Sequence, residues 1–506
     1  MERIGKWRLL VILLFVVSLQ GFAQDSNGKN DKNRKAKYIF YFIGDGMGLS
    51  QANVAEAYLG ALENNNNGIK KLSFSKLPHA GFFTTNATNR FITGSAAAGT
   101  ALATGYKTSL NTIAMDAAKQ KPLKTVAEIA RDKNYKVGIV SSVSLNHATP
   151  ACFYAHQPTR NYFYKIGLDL GKSNFNYFAG GGFRNPEGDG KVDDKNTMAN
   201  MGMASGGKLK SKETHLYDVV KSHGYQLINT CKKFSHLKNG DDKIIAITPR
   251  MARGESLPYG IDQNHENDIS LAEFTKKGIE LLDNSNGFFM MIEGGKIDWA
   301  CHANDAATVI HEVLEFDKSV QVALDFYNKH PEETLIIVTA DHETGGMGLG
   351  FSGKHYESEL SLLQHQNISY EMFEARLKQY KKKHKGNYKV EDALAMVKKH
   401  FGLGDESKGL ALADFEEEQL KEAFEKSLIY EKKMKYNDQF YLLYGSYDPL
   451  TVTACHLISQ KAGIGWTTFS HTASPIPVRA IGIGGEQFSG FFDNAEMGSK
   501  VINILD

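Results

Sequence analysis

The sequence carries almost no excess charge. Its 59 Lys and Arg against 57 Asp and Glu leave a formal net charge of +2 over 506 residues, which argues against a polyanion such as nucleic acid as partner. Long apolar runs are scarce too. After the N-terminal segment no stretch reaches about 18 apolar residues, the length of a bilayer span, so no membrane span is expected. Cysteine is rare, with only Cys152, Cys231, Cys301 and Cys455. A chain of this length needs no disulfide framework, and Cys301, although beside His302, is expected as a buried apolar thiol rather than a metal ligand. No internal repeat is visible. No Gly-x-Ser-x-Gly elbow is present either, which argues against a serine-triad hydrolase.

What remains is ordinary globular composition, 42% hydrophobic and 23% charged. The N-terminus is the exception. Arg3, Lys6 and Arg8 precede an apolar run from Leu9 to Val17, and Gly21-Phe22-Ala23 supplies small residues for cleavage. This pattern is expected to be a secretory signal peptide over residues 1–23, too short to span a bilayer. With no cysteine at the cleavage point, no lipoprotein anchor is expected. The protein is thus expected to be exported, periplasmic or extracellular.

Beyond a polar segment from Asp25 to Lys35, strand-like and helical runs alternate. Tyr38–Ile43, Val137–Val140, Lys243–Thr248, Gly287–Ile292 and Thr334–Thr339 read as buried strands, with helices over Leu123–Lys133 and Asp268–Asp283. Alternation of this kind predicts an α/β fold, a three-layer sandwich around a mostly parallel sheet. The rhythm breaks between Phe351 and Leu450. There "ARLKQYKKKHKGNYKVEDALAMVKKH" and "DFEEEQLKEAFEKSLIYEKKMKYN" read as charged amphipathic helices, a helical insertion at 351–449 that divides a core of 24–350 and 450–506. Its lysines read as solvated helix faces. Arg184 to Thr214, rich in Gly, Asn, Asp and Lys, reads as a loop insertion.

Chemistry gathers at strand ends. "FIGDGMG" ends an apolar strand on Asp45 among Gly44, Gly46 and Gly48, and the carboxyl ends of strands are where open α/β sheets place their sites. "MIEGGKIDWACH" offers Glu293, Asp298 and His302, the last two four residues apart and so on one face of a helical turn. "TADHETGG" offers Asp341 and His342, "FSHTASPIPV" His471, and "SLNHATPA" His147 and Thr149. Carboxylate with imidazole suits zinc, and carboxylate with hydroxyl suits magnesium. Each cluster alone also reads as a capping or turn acid. Five together do not, because buried acids must be paired or bind a metal. "TGSAAAGTALATG" places Ser95 at a helix start, either as an N-cap or as a nucleophile near amides that hold an anion. A serine hydroxyl needs a base or a metal to become nucleophilic.

In order and local spacing, "GDGMG", "TGSAAAGTALATGYKT", "HATPACFYAHQPTR", "EGGKIDWACH", "TADHETGG" and "SHTASPIPV" resemble the motifs of the alkaline phosphatases. The likeness runs from about Lys37 to Gly350, resumes near Leu450 and fails in the helical insertion. It implies hydrolysis of small-molecule phosphate monoesters through a phosphoserine on Ser95. It also implies one zinc on Asp298, His302 and His471, and a second on Asp45, Asp341 and His342 beside Ser95. A third ion, usually magnesium, would sit on Asp45, Thr149 and Glu293, and Arg160 would hold two phosphate oxygens with its fork. The glycines around Asp45 would leave room for the metals.

The chain departs from the family at three places. Many members carry an acid where Gly94 stands, which would steer the arginine. His147 and Trp299 stand where the family varies. A His at 147 can ligate directly, opening the third site to zinc or cobalt, and Trp299 adds no charge. The insertion would shape the mouth of the site or form a homodimer contact, as family crowns do. A phosphodiesterase of the same superfamily is the rival activity. A sulfatase would need a Pro-x-Arg signature that "SAAAG" lacks, and a merely binding protein has no need of Ser95.

Overall fold

The computed structural model describes residues 35–63, 68–188, 213–264, 266–433 and 438–505. The expected signal peptide and most of the expected loop insertion lie outside these residues. Residues Ala36–Asp506 form one compact unit. No helix among the described residues is long and apolar enough to cross a membrane.

Among the described residues ten strands make the central sheet: β1 (Tyr38–Ile43), β2 (His79–Thr84), β3 (Lys136–Ser141), β4 (Tyr177–Gly180), β5 (Gln226–Ile228), β6 (Ile244–Ile247), β7 (Phe288–Glu293), β8 (Thr334–Thr339), β9 (Ile476–Gly482) and β10 (Gly490–Asp493). Their spatial order is β10-β2-β9-β8-β1-β7-β3-β4-β6-β5. β9 runs antiparallel to β2 and β8, and the other pairings are parallel. The three central strands β8, β1 and β7 are buried at every residue, as a sheet covered by helices on both faces requires. Apolar runs such as Tyr38-Ile39-Phe40-Tyr41-Phe42-Ile43 form these strands because both faces of each pleat meet packed helices, so no alternation is needed.

Two of the expected helices begin later than their apolar patterns suggest, and the caps explain why. Thr125 caps Val126–Asp132 and Ser270 caps Leu271–Leu282, each in a reciprocal capping box with Glu128 or Glu273. The five expected strands form within a residue or two of their predicted ends. β2, β4, β5 and β10 were not expected; β5 is only three residues long, and β2 alternates buried and exposed residues. All four cysteines are free; Cys152, Cys301 and Cys455 are buried, and Cys231 is partly exposed.

Between Phe351 and Leu450 the chain forms helices over Tyr370–His384, Val390–Phe401, Asp414–Lys433 and Asp438–Tyr444. The first charged stretch is two helices rather than one, broken where Lys385 and Gly386 take φ of 47° and 102°. Phe373, Leu377, Val397, Phe401, Leu420 and Phe424 from these helices join the same core cluster as the sheet. Polar contacts tie them down as well. Asp305, just past the helix Lys296–His302, accepts hydrogen bonds from Tyr370 N at 2.9 Å and Gln366 Nε2 at 2.8 Å.

Candidate active site and metal centre

Register decides where the polar residues meet. Ile43 at the end of β1 stands opposite Glu293 of β7 and Thr339 of β8, and Ser141 at the end of β3 also faces Glu293. Four adjacent strands thus end at one level. Just beyond that level lie Asp45 after β1, Asp341 and His342 after β8, and His147 and Thr149 after β3. Glu293 closes β7, and the helix Lys296–His302 follows with Asp298 and His302. His471 arrives from the far end of the chain. It is fixed beside His342 by a short antiparallel ladder in which His471 faces Thr344 and Thr472 faces Glu343.

The carboxylate, imidazole and Thr149 donors and Ser95 are 5% exposed or less. Asp298 Oδ1 lies 3.3 Å from His302 Nε2 and 3.6 Å from His471 Nε2, and the two imidazole nitrogens are 3.1 Å apart. Around His342 Nε2 stand Asp45 Oδ1 at 3.5 Å, Asp341 Oδ2 at 3.4 Å and Ser95 Oγ at 3.3 Å. Nitrogen and oxygen donors bound at about 2.0–2.1 Å to one tetrahedral ion are about 3.3 Å from each other, so both sets have the spacing of donors around a small cation. The His342 and His471 rings stack at 3.7 Å, which brings the two sets side by side. A third group joins Asp45, His147 and Glu293 with donor atoms within 4.8 Å of one another, and Thr149 Oγ1 donates to Asp45 Oδ2 at 3.2 Å.

The unpaired atoms make the same point. Asp45 Oδ1, Asp341 Oδ2, Glu293 Oε1 and His147 Nδ1 are buried with no hydrogen-bond partner. Buried carboxylate oxygens in that state are costly unless a cation meets them. Burial, with repulsion from Asp341, Asp298 and Glu293, drives the Asp45 carboxyl well above the usual carboxylate range. Burial and the Asp341 charge push Glu293 up to about 8, and burial with the Asp298 charge pushes Asp341 up to about 6. Burial depresses His342 to about 4 and His471 to about 3, leaving neutral imidazoles, the form that ligates metal. Burial, then Arg160 and Arg184, hold His147 well below its ordinary value.

Ser95 is the first residue of the helix Ser95–Thr104, with Gly94 as its cap. Its hydroxyl does not cap the helix. It faces His342 Nε2, and Arg160 Nη1 reaches it at 3.5 Å. Gly94 leaves space before it, since a Cβ there would meet only Leu110 Cδ2 at 3.9 Å. Trp299 packs edge-to-face on His147, ring centres 5.6 Å apart, and walls the third group.

One expectation needs correction. The glycines after β1 make room for protein, not for ions. Gly46 has φ of +71°, and a Cβ there would lie 2.8 Å from the Asp298 Cα and 2.9 Å from Thr344 Oγ1. A Cβ on Gly48 would overlap the Glu343 side chain. Removing these side chains lets the metal-donor segments pack against each other.

Two polar residues escaped the sequence patterns. Thr344 donates to Asp298 Oδ1 at 2.6 Å and contacts His342 Nδ1 at 3.3 Å, joining the two sets of donors. Ser141 donates to Glu293 Oε2. Thr344 sits inside "TADHETGG", and its position two residues after His342 was the available signal. Backbone carbonyls do the rest, with His302 Nδ1 against Phe469 O at 2.6 Å and His471 Nδ1 against Thr93 O at 2.9 Å. These contacts fix each ring so that Nε2 faces the cluster.

A serine hydroxyl set among so many buried acids is useful only where cations offset their charge. The fold and the candidate metal-donor groups around Ser95 therefore point to a hydrolase. The family model for alkaline phosphatase matches residues 36–506, and the chain belongs to that family. Its members are phosphoric monoester hydrolases, and so is this protein. It is 28% identical to alkaline phosphatase 3 of Bacillus subtilis (strain 168) over 523 residues, covering 100% of this chain and 98% of that one. It is 27% identical to the repressible alkaline phosphatase of Saccharomyces cerevisiae over 526 residues, covering 98% and 85%. Among solved structures, a cold-active alkaline phosphatase from Shewanella sp. superposes with a TM-score of 0.71 at 26% identity, covering 93% of this chain and 100% of that one.

The acids predict how the metal-free protein responds to pH. Glu293 titrates near 4.5 when unfolded and near 8 in the metal-free fold, so its contribution to stability is present below pH 4.5 and lost as pH rises to 8. His342 and His471, depressed from 6.5, and His147, also held below its ordinary value, act oppositely, and their gain is complete only about one pH unit above 6.5. Between about pH 7.5 and 8 the chelated protein should therefore lose stability, by up to about 1.4 kcal/mol per pH unit for one proton. Saturating zinc should flatten the slope. Melting temperatures across pH, with and without chelator, measure it; a flat metal-free curve would exclude a protonated Glu293.

Proposed function

We propose that the protein is an exported phosphomonoesterase that turns over through a phosphoserine on Ser95 and binds two zinc ions and a third cation. The single observation that carries the proposal is the Ser95 hydroxyl held 3.3 Å from His342 Nε2 and 3.5 Å from Arg160 Nη1. Asp298, His302 and His471 would hold one zinc, and Asp45, Asp341 and His342 the other. When bound, the ions acidify the serine hydroxyl and water and neutralise the leaving oxygen. Ser95 Oγ attacks phosphorus in line, the ester oxygen leaves, and water then cleaves the phosphoserine from the side the alcohol vacated. Arg160 holds two phosphoryl oxygens with its planar fork while charge spreads over the transferring group. Thr344 and the carbonyls behind His302 and His471 keep the imidazoles aimed.

Asp45, Thr149 and Glu293 would hold the third ion. With His147 in reach as a neutral imidazole, this site should take zinc or cobalt as readily as magnesium. Export rests on the charged-then-apolar start of the sequence. One mass-spectrometric measurement on protein secreted by its host checks both expectations. The intact mass should correspond to a chain beginning at Gln24, and metal content after loading from an equimolar mixture should show zinc or cobalt as the third ion. A chain that keeps residue 1, or magnesium alone in that site, would reject the respective expectation.

Turnover of p-nitrophenyl phosphate should far exceed that of its bis-ester and vanish with EDTA. Ser95→Ala should keep its zinc but lose several orders of magnitude in kcat and all acid-stable labelling by radioactive phosphate. Full activity in Ser95→Ala would sink the covalent mechanism, and faster bis-ester cleavage would make the protein a diesterase.

Arg160→Lys should weaken competitive inhibition by inorganic phosphate, because a point charge cannot reproduce the fork. Unchanged inhibition would leave Arg160 with a structural role only.

A further inference from the structure

Two neighbours make opposite demands on the ring of His147. Arg160 Nη2 lies 3.1 Å from His147 Nε2. A guanidinium can only donate, so Nε2 supplies the lone pair and the neutral ring carries its proton on Nδ1. Yet a ring nitrogen of His147 also lies within 4.8 Å of carboxylate oxygens of Asp45 and Glu293, the candidate third ion site, and Nδ1 is buried without a partner. An ion bound at Nε2 would consume the lone pair that accepts from Arg160. An ion bound at Nδ1 would move the ring proton to Nε2, setting N–H against N–H. Whichever nitrogen ligates, the hydrogen bond to Arg160 is lost.

We propose that His147 is a positioning residue that serves either Arg160 or the third ion but never both, so that filling the third site releases the Arg160 guanidinium to align on phosphate. The proposal rests on Arg160 being the phosphate clamp. A forked grip needs the guanidinium plane aligned on two phosphate oxygens, and here one N–H of Nη2 is held by His147 while Nη1 points to Ser95 Oγ, which fixes that plane. Trp299, edge-to-face on the imidazole, leaves the ring little room to swing away, so it exchanges partners in place. Third ion and phosphate then bind with positive coupling, and linkage requires the same factor in both directions. One hydrogen bond to a charged group sets that factor at about tenfold.

This coupling differs from simple attraction between a cation and phosphate, which would survive without His147. The test is equilibrium dialysis of radiolabelled inorganic phosphate against the full-length enzyme, chelated and then reloaded stepwise with zinc, with metal content measured at each step. At two ions per chain, His147→Ala should bind phosphate about tenfold tighter than wild type, because its Arg160 is already free. At three ions per chain the two proteins should converge. Unchanged or weaker phosphate binding by two-ion His147→Ala overturns the switch, and weaker binding would mean that His147 readies the arginine instead. Arg160→Ala serves as the control on the underlying assignment. If that variant binds phosphate like wild type, the clamp itself is wrong; if it binds poorly while His147→Ala shows no gain, only the switch fails. A second readout uses unaltered protein labelled with 15N-histidine. Nε2 of His147 should be bare at two ions per chain, and the pattern of ring-nitrogen shifts should change with the third. Identical ring spectra in both states would also overturn the proposal.

Discussion

Parallel strands laid side by side in register present their carboxyl ends at one level, and here four acids stand on or just past that level. Asp45, Glu293, Asp298 and Asp341 are each 5% exposed or less and too close to one another to be ionised together without compensation. Much of the neighbouring structure offsets that repulsion. Gly46 N and His342 N donate to Asp341 Oδ1, Thr149 to Asp45, Thr344 to Asp298 and Ser141 to Glu293. These bonds cover one oxygen of each acid. For Asp45, Asp341 and Glu293 the other oxygen turns inward without a hydrogen-bond partner, where a proton or a cation would satisfy it.

The same crowding explains the loops. Each donor segment must approach another closely enough for its atoms to share a partner, and a single Cβ at Gly46 would drive Asp298 and Thr344 away. Support continues outward. The helix bearing Asp298 and His302 is followed by Asp305, which receives hydrogen bonds from Gln366 and Tyr370. Arg253, beside the Gly254 that touches Trp299, pairs with Glu374. The charged helices between Phe351 and Leu450 thus brace two walls of the site, although their sequence carries no motif of its own.

Much of the site was legible because the donors are local in sequence. Asp298 and His302 lie one helical turn apart, Asp341 and His342 are adjacent, and each cluster follows an apolar strand that announces itself. What could not be read is what depends on partners distant in the chain. Thr344 looks like any strand-end threonine until β1 and the helix Lys296–His302 pack against it. The glycines around Asp45 invited an explanation by ions because the protein segments that fill their space come from residues 298 and 343–344. β2 and β10 escaped because they form the sheet edge beyond its one antiparallel strand, where β2 is only partly covered and no helical rhythm surrounds it. The sheet order itself, with β9 inserted between β2 and β8, is a product of packing that no local pattern encodes.

That insertion has a consequence for the order of events as the chain is made. β9 and the ladder that carries His471 come from the last tenth of the sequence, yet they slot between strands synthesised long before. Until they emerge, Asp298 and His302 lack their third donor and the edge of β8 has no partner on that side. A nascent chain therefore cannot bring these three donors together early, however well its N-terminal strands have folded. The group of Asp45, Asp341 and His342 and the group of Asp45, His147 and Glu293 are complete by residue 342, so the three candidate groups are assembled in order rather than together.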